Sequence, residues 1–147
     1  TAACDWLRPR YKDVDAVFQP AKTVRELARI VQEELDLPEA WLNDGAKGFV
    51  SAQATMTAQD LPQFEHLQVT APTAEYLLAM KCLASRTGLG VADAGDVADI
   101  TFLVRRLGLK SPGAVLELVE RYYPASEIPV RAQFLLEAVF AQLDRLP

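Results

Sequence analysis

Cysteine is scarce in this chain of 147 residues: Cys4 and Cys82 are the only two. So few thiols, in ordinary contexts, argue against both a disulfide framework and a thiolate metal site, and a reduced, cytoplasmic setting is expected. Basic charge is also short. Fifteen lysines and arginines stand against twenty acidic residues, a net charge of -5, so no general polyanion-binding surface is announced and a nucleic acid would need a local basic patch. No apolar run approaches the roughly 20 residues of a membrane-spanning helix, and nothing at the start resembles a signal peptide. No membrane association is expected. Repeats and low-complexity tracts are missing too. Apolar content is not: 50% of the residues are hydrophobic, enough for a real core in one domain, or in one domain with a small appendage.

Along the chain, the pattern changes once. "TAACDWLR" reads as the tail of a helix stopped by Pro9, and "DVDAVF" alternates Asp13 and Asp15 with Val14, Ala16 and Phe18 at the period of a strand with a buried face. "TVRELARIVQEELDL" has Val24, Leu27, Ile30, Val31 and Leu35 at helical spacing, with Thr23 as N-cap and Glu26 completing a capping box. Short strands are expected at Phe49 to Ala52 and in "FEHLQVTAP", with "TMTAQDLP" as irregular structure between them. From residue 73 onward strand signals vanish. Helices are expected in "TAEYLLAMKCLASR" after Thr73, in "DAGDVADITFLVRRLG" up to Gly108, in "SPGAVLELVERYYP" with Ser111 as cap and Pro112 at the first helical position, and in "VRAQFLLEAVFAQLDRL". The expected fold is therefore α+β: an α/β part over residues 1–72 with a small mixed β-sheet, then a helical bundle over 73–147.

Asp13 and Asp15 pose the chemical question. Residues i and i+2 of a strand project to one side, about 6 to 7 Å apart along it. Two carboxylates so placed can share a divalent cation, and without one each raises the other's pKa. Mg²⁺ suits such a pair, because it accepts a few carboxylates and completes its octahedron with water and phosphate oxygens. The competing explanation is a solvated strand face near a sheet edge, where charge discourages aggregation. Val14, Ala16, Val17 and Phe18 argue instead for a largely buried strand, in which aspartates need a compensating charge.

"LRPRYKDVDAVF" resembles the strand motif of the nucleotidyltransferase superfamily, in which a Gly-Gly or Gly-Ser turn precedes an Asp-hydrophobic-Asp-hydrophobic strand. "AWLNDGAKGF", "AEYLLAMKCLASR", "DVADITFLVRRLG" and "LVERYYP" follow in the order expected of a bacterial branch related to the AbiEii and MenT toxin-type enzymes, so the resemblance spans nearly the full length. The glycine turn of that family would lie just before Thr1. The resemblance implies a nucleotidyltransferase-like core and transfer of a nucleoside monophosphate from an NTP to an acceptor hydroxyl. Asp13 and Asp15 would hold Mg²⁺ and the nucleotide phosphates, Lys81 would neutralise the triphosphate, and Asp96 would position or deprotonate the hydroxyl.

Each assignment has a plainer alternative. Lys81 would otherwise be an exposed helix residue, Asp96 a helix N-cap, and Lys47, in a Gly-flanked loop near the nucleotide, a surface lysine. Asp99 is a further candidate, and the segment "TGLGVADAG" before Asp96 looks like an insertion relative to the family. Arg8, Arg10 and Lys12 crowd positive charge ahead of the aspartates. His66 is expected to be structural, on a strand, and Tyr122 and Tyr123 to pack a helix end. The third acidic position of many relatives has no clear occupant, Glu65 being nearest. By resemblance the first-choice acceptor is a tRNA 3′ end, with an antitoxin protein as partner. A small-molecule or protein acceptor, and a catalytically silent relative that binds a nucleotide or a protein, remain open.

Overall fold

A computed structural model describes residues 13–85, 87–88, 91–92 and 94–144. The helix expected over 1–8, and Arg8, Arg10 and Lys12, lie outside the described residues. Those that are described form a mixed α+β chain, divided into two compact units between Val50 and Ser51.

In the first unit, strand β1 (Val14–Asp15) leads into helix α1 (Ala21–Leu35), which returns the chain to strand β2 (Leu42–Asn43). The two strands are parallel, with Val14 opposite Leu42 and Asp15 opposite Asn43, so this is a small β-α-β crossover. A 3₁₀ turn over Gly45–Phe49 follows β2. The expected strand over 13–18 is thus much shorter than its alternation suggests, and its apolar residues are not buried: Val14 and Val17 are about half exposed. Only two residues pair, on one edge, and so short a ladder covers neither face.

Helix α1 forms where its periodicity predicts but starts earlier. Pro20, in extended conformation, precedes Ala21, and the amide of Val24 bonds to the Pro20 carbonyl at 3.1 Å to close the first turn. Thr23 is therefore inside the helix and caps nothing, and no capping box forms. Glu26 pairs instead with Lys22, both exposed. At the other end Asp36 adopts a left-handed conformation, φ 49°, and the Leu37 amide closes back on Gln32 at 3.0 Å. The apolar stripe stays partly open: Leu27, Ile30 and Leu35 are exposed.

The second unit begins with the strand pair β3 (Met56–Thr57) and β4 (Ala71–Pro72), antiparallel, then helix α2 (Ala74–Ala84). A two-stranded hairpin, β5 (Thr87–Gly88) with β6 (Val91–Ala92), leads to α3 (Ala94–Arg106), α4 (Pro112–Glu120) and α5 (Val130–Leu143). The strand expected over residues 64–72 shrinks to β4, the strand at 49–52 is not formed, and β3 lies in a stretch expected to be irregular. A hairpin also interrupts the half expected to be all helical. Instead of one mixed sheet, the described strands make three separate two-stranded ladders.

The core lies in this unit. Tyr76, Leu78, Ala79 and Cys82 of α2 meet Ile100, Leu103 and Val104 of α3, Val115, Leu118 and Val119 of α4, and Leu135, Leu136 and Val139 of α5. Helix ends follow their sequence signals. Thr73 accepts the Tyr76 amide, Ser111 accepts the Ala114 amide with Pro112 opening α4, and Gly108 at φ 65° ends α3 while the Leu109 amide reaches the Val104 carbonyl. Residues 51–57 are tied to the bundle through hydroxyls. The Ser51 amide donates to the Tyr76 hydroxyl at 2.8 Å, the Ser51 hydroxyl donates to the Tyr122 carbonyl, and Thr55 joins Thr73 and the Tyr122 hydroxyl. No helix among the described residues is long and apolar enough to cross a membrane.

Candidate functional site

The predicted site residues fall in two groups, one in each compact unit. The first is built on the β1–β2 ladder. The Ala16 amide bonds to the Asn43 carbonyl at 2.9 Å and the Val14 amide to the Trp41 carbonyl, so the backbones bearing Asp13, Asp15 and Asn43 are fixed to one another. The Asn43 side-chain amide donates to Asp13 Oδ2 at 3.1 Å, and its carbonyl oxygen accepts the Gly45 amide at 2.9 Å. A methyl group at Gly45 would stand 3.0 Å from both Asn43 Oδ1 and Asp15 Oδ1, so these two oxygens crowd the same spot. Asp13 is thus hydrogen-bonded to Asn43, and Asn43 and Asp15 share the space beside Gly45. Both aspartates are exposed, which corrects the expectation of a buried pair.

Neighbouring contacts hold the frame. Arg25 of α1 pairs with Asp44 at 2.7 Å and lies over the Phe18 ring at 5.7 Å, while the Trp41 indole donates to the Ala28 carbonyl at 3.1 Å. The segments after β1 and around β2 are both pinned to α1 in this way. Lys47 sits in the 3₁₀ turn two residues past Gly45, with its side chain exposed.

The second group lies between α2 and α3. Lys81 Nζ is 2.9 Å from Asp99 and 3.5 Å from Asp96, and all three side chains are mostly buried. Lys81 is thus not the exposed helix residue of its plainer alternative. Asp96 is the third residue of α3 and ion-paired, so it is not an N-cap. Asp99, given less weight in the sequence, makes the shorter contact.

Other candidates stand apart from both groups. His66 lies in an exposed loop, not on a strand, beside Glu65 at 3.7 Å. Tyr123 is buried, and burial followed by a hydrogen bond with Tyr76 pushes its phenol up. The Tyr122 ring packs on Tyr76 with centroids 5.1 Å apart. Both tyrosines therefore pack a helix end, as expected.

Asn43 and Gly45 carried no assignment in the sequence. The "NDG" triplet signals only a turn, and the register that sets Asn43 opposite Asp15 arises from a crossover that no local pattern specifies. Among the described residues, no three of the histidine, cysteine, aspartate and glutamate side chains group as a metal-holding set. No protein-family model matches the chain, and comparison with curated proteins and with solved structures gives no match.

Proposed function

We propose that the chain is a metal-dependent nucleotidyltransferase, with a nucleotidyltransferase-like core, that moves a nucleoside monophosphate from an NTP to an acceptor hydroxyl. The observation that carries this is that Asn43 holds Asp13 by a hydrogen bond and shares with Asp15 the space beside Gly45, where a Cβ would intrude. Two exposed carboxylates two residues apart fit the demand of Mg²⁺ for one or two protein carboxylates, with the remaining positions left to water and phosphate oxygens. Asp13 and Asp15 would hold it. Bound there, the ion would offset negative charge on the triphosphate.

The chain's own residues would do the rest. Exposure of the pair leaves room for a polyphosphate to approach, and Lys47 adds a cation to the same unit. The acceptor oxygen forms its bond to the α-phosphorus as the bond to the β-phosphate oxygen breaks, and pyrophosphate leaves. Asp96, from the family resemblance, would take the hydroxyl proton, and Lys81 would neutralise the triphosphate. Rate enhancement in such a transfer rests mainly on in-line positioning and on charge compensation. A tRNA 3′ end is the proposed acceptor, in a toxin–antitoxin setting with an antitoxin protein as partner.

A catalytically silent relative that binds a nucleotide or a protein is the second reading. The engagement of Lys81 by Asp96 and Asp99 favours it, because a lysine already paired with two carboxylates must exchange them for phosphate. Incubation with Mg²⁺, each labelled NTP and total tRNA decides between them. The expected outcome is label transfer that falls at least about 100-fold in Asp13→Asn and in Asp15→Asn. Transfer undiminished in both variants would remove the site assignment; nucleotide binding without transfer would favour the silent relative.

A further inference from the structure

We propose that Asn43 is a positioning residue for Asp13, holding its carboxylate through the side-chain amide, and that glycine at 45 is required to leave room beside Asp15. The assignment rests on the pair being the seat of a divalent cation.

Asn43 is placed by the backbone before its side chain acts. It stands opposite Asp15 in the parallel ladder and accepts the Ala16 amide at 2.9 Å, so its Cα cannot drift from β1. From there the carboxamide reaches Asp13, two residues earlier on β1. Its orientation is dictated by its partners: the NH₂ meets a carboxylate at 3.1 Å, and the carbonyl meets the Gly45 N–H at 2.9 Å. The flipped amide would set oxygen against carboxylate and nitrogen against N–H. One neutral side chain thus fixes Asp13 without adding a third negative charge. Aspartate at 43 would add that charge and remove the donor.

Gly45 supplies an independent constraint. The atoms that a methyl group there would meet at 3.0 Å are side-chain oxygens, Asn43 Oδ1 and Asp15 Oδ1, not backbone. Alanine would therefore be accommodated by displacing these two oxygens, with the fold kept and the Asn43 and Asp15 side chains moved.

Mn²⁺, bound to the full chain in the presence of a non-hydrolysable nucleoside triphosphate and followed by the loss of its free-ion paramagnetic resonance signal, gives the test. Wild type is expected to bind saturably and Asp15→Asn to lose binding. Asn43→Ala and Gly45→Ala should each weaken Mn²⁺ about 10-fold or more, the usual loss when a group orienting a metal ligand is removed, while thermal midpoints stay near wild type. Should Asn43→Ala fail to fold, Gly45→Ala carries the test alone. Wild-type Mn²⁺ affinity in the folded Asn43→Ala and Gly45→Ala variants, with Asp15→Asn inactive in binding, would overturn the positioning role and leave the cation seat standing. No Mn²⁺ binding by wild type would overturn both.

Discussion

Cys82 is a thiol enclosed by the helical core, and burial pushes its pKa up from an ordinary 9.0 to about 12. Between those values the folded chain keeps a proton that the unfolded chain has released, so this contribution to stability is complete below pH 9 and is lost as pH rises toward 12. In a Cys4→Ser background, Ellman's reagent at pH 8 is expected to leave Cys82 unlabelled until denaturant is added. Rapid labelling of the native protein would contradict the packing of α2. Lys81 shows the opposite balance, a cation held between two carboxylates with little solvent to screen them. Lys81→Met would remove the cation that Asp96 and Asp99 share, and urea unfolding at pH 7 should report a loss of about 2 kcal/mol. A loss within about 0.5 kcal/mol would mean that solvent screens the group. Composition shows that the chain has few thiols and a modest acidic excess, but not which carboxylates flank Lys81. That partnership depends on how α2 crosses α3.

Three helix ends were well predicted from local signals. Ser111 with Pro112, Thr73, and Gly108 each act over one turn, and each takes its anticipated place. Thr23 and Glu26 carry an equally good local signature, yet the helix starts ahead of them, because Ala21 and Lys22 continue the helical hydrogen bonding back to Pro20. Paired substitutions separate the two cases. Ser111→Ala should cost about 1 kcal/mol through loss of a working cap, whereas Thr23→Ala should be neutral or stabilising by a few tenths, since alanine is the better interior residue. Equal losses in the two variants would restore the capping box at Thr23. Strands were read less well for a physical reason. Alternation marks residues able to lie on a pleated surface, and "DVDAVF" and "FEHLQVTAP" both do so, but a strand exists only where a partner backbone pairs with it. Val14–Asp15 and Ala71–Pro72 are what pairing retains.

Burial is distributed very unevenly between the two compact units. The large buried side chains run from Tyr76 to Val139, while no described residue before Ser51 is buried. Apolar burial is the main favourable term in folding, so the first unit is expected to be the less stable. Trp41 lies in it, and Trp6, the other tryptophan, precedes the described residues in the chain, whereas four of the five described α-helices lie in the second. In urea, tryptophan emission should therefore change at a lower midpoint than far-ultraviolet circular dichroism. Coincident midpoints would show that the chain unfolds as one cooperative body.

The sequence by itself determined the four helices after residue 73 and the ends marked by Thr73, Gly108 and Ser111, because 3.6-residue periodicity and capping chemistry act within one or two turns. It also placed two aspartates at strand spacing. Only the tertiary structure set Asn43 and Gly45 beside them and enclosed Lys81 between Asp96 and Asp99. Those neighbours are brought together by a parallel crossover and by helix packing, whose register no short stretch of chain encodes.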